Sequence, residues 1–286
     1  MIKLLHNMTY ILFDIGGTKT RVAVSEDLQT LGETVSFKTP NDFEAGIDAI
    51  VQAVHKITKS PLRAIAGGIR GPLNEDKTTI VHDTVLTKWV EKPIVEMLKK
   101  KLKAEVYLEN DAALAGLGEA HFGAGKDADI VAYHTISTGV GGVKIEHGRI
   151  DEYRNGFEPG YQILDIDKTI LGEGIEPTLQ NLVSGTAVEE RMGVKPYDIP
   201  QDDVLWDQLA LFLAHGLRNT ILYWSPDVVV LGGSMIVGNP RILLDDILKH
   251  TNRVLGEYIE CPMIVDAKLG DLGGLYGAMS LLSSKV

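Results

Sequence analysis

The chain predicts an α/β protein of two lobes that repeat the order β-β-β-α-β-α-β-α and enclose an interlobe cleft. Three observations carry this expectation. Two glycine turns, Asp14-Ile15-Gly16-Gly17-Thr18-Lys19 and Ser137-Thr138-Gly139-Val140-Gly141-Gly142, each separate an apolar run from an alternating one. Each turn opens a half-chain in which three strand patterns precede alternating helix and strand patterns. The length of 286 residues suffices for two cores.

In the first half, strands are expected near 9–15, 20–26 and 31–37. Phe43, Ile47, Ile50, Val51, Val54 and Ile57 then recur at helical spacing over 42–58. A strand at 62–69, a loop from Gly67 to Pro72, a helix opened by Pro93, a strand at 105–108 and a helix at 112–121 follow. In the second half, strands are expected near 129–136, 140–146 and 148–153, with helices near 178–192 and 203–224. The buried strand Val228–Leu231, a helix near 240–255, a strand at 262–266 and a helix at 272–283 end the chain. The least regular segment, 155–178, reads as an inserted loop. These patterns divide the chain into a smaller lobe, 1–111, joined by the C-terminal helix 272–286, and a larger lobe, 112–271.

Composition excludes several classes. A hydrophobic content of 44% with 23% charged residues fits a globular protein. The net charge of −11 argues against a nucleic-acid partner, which needs a basic face. The one cysteine, Cys261, provides neither a disulfide framework nor a cysteine-based zinc site. Met1–Asn7 is too short for a signal peptide, and no apolar run reaches the roughly 20 residues of a membrane span. A cytoplasmic protein without a membrane partner is expected.

Adjacent glycines let backbone N–H groups approach an anion closely. Gly16, Gly17, Thr18 and Lys19 on one turn, and Thr138, Gly139 and Gly141 on the other, therefore read as polyphosphate-binding residues. Ordinary hairpins also use glycine-rich turns, but two copies in equivalent positions favour phosphate. Asp14, at a strand end beside such a turn, suits an intervening Mg²⁺ or simply caps the turn. Gly232-Gly233 closes the strand 228–231 and either admits a flat base and ribose or allows close packing. Asp111, between a strand and a helix, reads equally as a general base and as a helix N-cap.

Asp14-Ile-Gly-Gly-Thr-Lys19, Glu109-Asn110-Asp111-Ala112, Ser137-Thr-Gly-Val-Gly-Gly142, Gly156-Phe-Glu-Pro-Gly160, Ser184-Gly185 and Asp227-Val-Val-Val-Leu-Gly-Gly233 occur in that order. This ordered set resembles the ROK family of bacterial sugar kinases and repressors, within the actin-like ATPase superfamily. The resemblance implies two ribonuclease-H-like lobes, ATP with Mg²⁺ as the phosphoryl donor, and transfer to a sugar hydroxyl. It makes Asp111 the base and gives Asn110, Glu158, Tyr161 and Gln180 to the sugar. The chain departs from the family on the sugar side. Tyr161 stands where many members carry histidine, Gln180 where they carry glutamate, and 162–180 lacks the cysteine-rich zinc loop, so no structural zinc is expected. The alternative reading is a sugar-responsive regulator with weak or no turnover, lacking a DNA-binding module. A homodimer is compatible with the sequence.

Overall fold

The computed structural model describes residues 9–154 and 156–286; the amino-terminal stretch read above for a signal peptide lies outside the described residues. The chain divides into two compact units. The first holds the chain up to His121, the segment Glu152–Gly156 and the C-terminal stretch Asp271–Val286. The second holds Phe122–Asp151 and Phe157–Gly270.

In the first unit, β1 (Thr9–Ile15), β2 (Lys19–Ser25) and β3 (Thr34–Lys38) form an antiparallel meander. Helix α1 (Phe43–Ile57) leads to β4 (Leu62–Ile69), and α2 (Ile94–Leu102) leads to β5 (Glu105–Asn110). Both strands run parallel to β1, so the sheet order is β3-β2-β1-β4-β5. Ile47, Ile50 and Val54 of α1 and Ile94 and Leu98 of α2 join Ile11, Phe13, Ile15, Ile65 and Ile69 of the sheet in one core. Trp89 sits in this core edge-on to Phe43, with ring centroids 5.4 Å apart. Only a glycine at position 46 leaves room for its ring.

Helix α3 (Asp111–Phe122) follows β5 directly, and α9 (Gly273–Ser283) ends the chain. Almost the whole surface of α3 is buried, which suits a helix packed on more than one side. Gly118 and Gly277 permit α3 and α9 to touch backbone to backbone: a Cβ on Gly277 would lie 1.8 Å from the Leu114 carbonyl oxygen. This contact holds α3 in the first unit, so the chain leaves that unit after α3 rather than before it.

The second unit repeats the topology. β6 (Ile130–Ile136), β7 (Val140–Glu146) and β8 (Arg149–Ile150) form the meander. After α4 (Leu179–Val183), α5 (Gly185–Met192) and α6 (Leu205–Trp224) comes β9 (Val228–Gly232). The short α7 (Ser234–Val237) and α8 (Leu244–Leu255) precede β10 (Met263–Asp266). The order β10-β9-β6-β7-β8 matches the first sheet strand for strand.

Three expectations need correction. The strand expected over 148–153 shrinks to two residues, because the chain from Glu152 to Gly156 belongs to the first unit. The helix expected over 178–192 is broken at Ser184, whose extended backbone ends α4 and whose Oγ accepts from Ala187 N to start α5. The helix expected from 240 begins only at Leu244, because Leu243 is extended.

His134 of β6 is fully buried, stacked on Trp224 at 5.7 Å, with Nε2 3.0 Å from Thr220 Oγ1. Burial pushes its pKa down to about 4. The unfolded chain therefore binds the extra proton first, between about pH 6.5 and 4, and stability falls as pH falls through that window. The loss amounts to about 3 kcal/mol. Urea unfolding of the second unit should lose less stability between pH 7 and pH 4.5 in His134→Gln than in wild type. An equal loss in both would contradict this reading.

Candidate active site

The first unit gathers its candidate residues where its three parallel strands end. Ile15, Ile69 and Asn110 are in register across β1, β4 and β5. The next residues of the three strands, Gly16, Arg70 and Asp111, therefore leave the same edge of the sheet. The carboxyl ends of parallel strands are where α/β folds place ligands. Gly68 keeps this edge narrow: a Cβ there would lie 3.2 Å from the Asp111 Cα.

Two neighbouring side chains, Asn110 and Asp111, meet the start of α3. The side chain that caps α3 is Asn110, whose Oδ1 accepts from Ala113 N at 3.1 Å while its Nδ2 donates to Gly71 O at 3.2 Å. Asp111 is the first helical residue, and its Oδ1 accepts from its own neighbour Ala112 N at 2.8 Å. Desolvation raises its pKa, outweighing the Ala112 N–H and the Arg70 charge, which lower it. A raised carboxyl pKa suits a group that must accept a proton.

Asp14 ends β1 beside the first glycine turn. Arg21 Nη1 lies 3.4 Å from its Oδ2, and Arg21 Nη2 also pairs with Asp271. Burial, with the nearby Asp111 charge, pushes the Asp14 carboxyl up to about 7 despite Arg21. A hard oxygen ligand whose charge is only partly balanced fits a divalent cation. Among the described residues no group of three or more His, Cys, Asp or Glu could hold a metal ion.

The first turn is tight. Gly16 N donates to Lys19 O at 3.0 Å, and Thr39 Oγ1 donates to Gly16 O at 2.7 Å. Thr18 and Lys19 are exposed, and Lys19 stands opposite Lys38 across β2 and β3. A side chain at Gly17 would meet Arg70 Nη1 at 2.8 Å and Val85 Cγ1 at 3.0 Å.

The second unit builds its own turn. Ser137 N donates to Gly139 O at 2.9 Å, and Thr138 is exposed. Gln180 reaches this turn from α4, accepting at Oε1 from Val140 N at 3.0 Å, and the same oxygen lies 2.8 Å from where a Gly139 Cβ would sit. Glu158 precedes, and Tyr161 ends, a single 3-10 turn, Pro159–Tyr161, that packs on β7 through Gly160; Tyr161 is 55% exposed. Gly141 lies within β7, opposite Thr135, rather than in the turn. At Gly232 and Gly233 the space is filled by protein: a Cβ would meet the Tyr133 hydroxyl at 2.6 Å and the Ile136 carbonyl oxygen at 2.3 Å. Gly233 also has φ +88°, which favours glycine. A side chain at either position would therefore be crowded by β6.

Sequence reasoning passed over Arg70, read only as part of a loop, and the Glu109 network. Buried Glu109 pairs with Lys77 Nζ and accepts from Tyr153 Oη at 2.6 Å and from Asn110 N at 2.9 Å. The one available signal was a lone cation directly after the apolar strand 62–69.

Two copies of one five-stranded topology, each with a glycine turn after its first strand, define the ribonuclease-H-like, actin-like ATPase class of fold. The model of the ROK family matches residues 10–285, and the chain belongs to that family. It is 27% identical to a fructokinase of Lactococcus lactis subsp. cremoris, over 96% of this chain and 99% of that one. It is 30% identical to an N-acetyl-D-glucosamine kinase of Mannheimia succiniciproducens, over 96% and 99%. A ROK family glucokinase from Streptomyces griseus, solved in complex with glucose and AMPPNP, superposes with a TM-score of 0.78. The two are 26% identical over 96% of this chain and 98% of that one.

The division of labour at the start of α3 has a measurable consequence. Asn110→Ala should lower the unfolding free energy by about 1 kcal/mol through loss of the cap. Asp111→Asn should leave stability unchanged or raise it, because the ionised carboxyl is disfavoured in the folded state. Equal destabilisation by both variants in urea titrations would return Asp111 to a capping role.

Proposed function

We propose that the chain is a sugar kinase that transfers the γ-phosphoryl group of ATP to a hydroxyl of a hexose or hexose derivative, with Asp111 as general base. The observation that carries this reading is that Asn110 caps α3, which leaves the neighbouring Asp111 carboxylate to a chemical task. A sugar hydroxyl is a weak nucleophile. A carboxylate within hydrogen-bond reach takes its proton as the new P–O bond forms.

The remaining residues take supporting roles. The N–H groups of the Gly16–Lys19 turn and of the Ser137–Gly139 turn hold phosphate oxygens, with Thr18, Thr138 and Lys19 adding donors. Asp14 would hold a Mg²⁺ that arrives with the nucleotide, directly or through water, and the metal would supply charge neutralisation on the phosphates. Asn110 keeps a second amide N–H and a second lone pair for a sugar hydroxyl beyond its two protein contacts. Glu158 and Tyr161 offer an acceptor and a hydroxyl from the two ends of their 3-10 turn. Gln180 has Oε1 engaged by Val140, so it offers a sugar its amide N–H donors. A reaction fed by ATP agrees with the cytoplasmic location expected from the sequence.

Relatives named for fructose, glucose and N-acetylglucosamine support a hexose acceptor and leave its identity to experiment. ADP release should be measured with Mg²⁺ and ATP across hexoses and N-acetylhexosamines, and the protein assayed for zinc by elemental analysis. One or more sugars should be phosphorylated, without stoichiometric zinc. Asp111→Ala should lose at least 10³-fold in kcat while retaining nucleotide binding. In Gln180→Glu, which keeps the acceptor and loses the donors, the ranking of sugars should change. Wild-type turnover in Asp111→Ala would sink the base assignment, and no sugar-dependent ADP release would sink the kinase reading.

A further inference from the structure

Arg70 has a position and a set of contacts that a surface ion pair does not explain. It follows β4 at the edge from which Gly16 and Asp111 also emerge. Its Nε donates to Asp83 Oδ2 at 2.6 Å. Asp83 is itself buried and fixed, its other oxygen accepting from Val85 N at 2.5 Å and Leu86 N at 2.6 Å. Asp83 thus takes the guanidinium by its Nε side. A purely structural pair would favour the two-pronged contact that the fork of arginine allows.

The Nη end is directed elsewhere. Nη1 occupies the space over the first glycine turn that a side chain at position 17 would need. The charge of Arg70 is also felt at the Asp111 carboxyl. The Arg70 side chain remains 31% exposed, so it is not sealed in the core by its pairing with Asp83. The edge carries the carboxylates Asp14, Asp83 and Asp111, in a chain of net charge −11. The other arginine at this edge, Arg21, is taken up by Asp14 and Asp271.

We infer that Arg70 is a catalytic residue of this site, its Nη groups binding the phosphoryl group as it passes from ATP to the acceptor. The inference rests on the kinase reading above. In the step, the acceptor hydroxyl gives its proton to the Asp111 carboxylate and its oxygen bonds to the γ-phosphorus. The bond from that phosphorus to the bridging oxygen breaks, and its electron pair stays on the β-phosphate of ADP. Arg70 neither gains nor loses a proton. It offsets charge on the equatorial oxygens where two nearby carboxylates would otherwise repel them.

The test compares Arg70→Met and Arg70→Lys with wild type in the full chain, on the best sugar of the panel. Arg70→Met should lower kcat by about 10²–10³-fold, with KM for sugar and for ATP within about threefold; the thermal midpoint should also fall, because buried Asp83 loses its charge partner, so rates are compared at a temperature where both proteins are folded. Arg70→Lys should recover part of the rate. Added guanidinium ion should raise the rate of Arg70→Met and not that of Asp111→Asn. A kcat of Arg70→Met within about threefold of wild type, or a lost rate that neither lysine nor guanidinium restores, overturns the inference while an active wild type leaves the kinase reading standing. A wild-type chain without sugar-dependent ADP release ends both.

Discussion

Register between three parallel strands is the constraint on which the rest of the candidate site depends. Pairing of Ile15 with Ile69 and of Ile69 with Asn110 brings the ends of the three strands level. That alignment delivers a glycine turn, a cation and a carboxylate to a single edge. The same pairing forces Asp14, Asp83 and Asp111 toward one region of an acidic protein. The arginines at 21 and 70 answer that crowding, and burial, with a smaller push from neighbouring carboxylates, still raises the carboxyl pKa values of Asp14 and Asp111.

Glycine works here mainly by permitting close approach. Gly17, Gly68, Gly118 and Gly277 have ordinary backbone angles, yet a Cβ at any of them would crowd a neighbouring group. At Gly118 and Gly277 the beneficiary is the packing of α9 on α3, which seats the helix that begins with Asp111. At Gly17 it is the guanidinium of Arg70. At Gly232 too a Cβ would crowd a neighbour, the Tyr133 hydroxyl, while Gly233 combines such crowding with a positive φ.

Much of this was legible in the chain. The strand–glycine turn–strand pattern and the alternation that follows gave both sheets and their shared topology, because period-2 and period-3.6 patterns are local. Asp111 could be singled out, but not told from a cap, since a cap and a base differ in which N–H the oxygen meets. That the capping contact to Ala113 N comes from Asn110 is visible only in three dimensions. The partners of Arg70 and Gln180 could not be read from sequence for a related reason. Arg70 takes its direction from Asp83, thirteen residues away, and Gln180 from Val140, forty residues away, and no local pattern encodes such partners. The end of α4 at Ser184 was missed because its serine competes for backbone donors within what reads as one helical run.

The account requires that two carboxyls at the strand edge be hard to ionise before any ligand arrives, one poised near neutrality and one prepared to accept a proton. Carboxyl carbon-13 NMR titration of the ligand-free protein, with Asp14→Asn and Asp111→Asn for assignment, measures this directly. The account predicts a midpoint near 7 for Asp14 and a midpoint for Asp111 above the usual aspartate range. Both groups titrating at about 4, as solvated aspartates do, would contradict it.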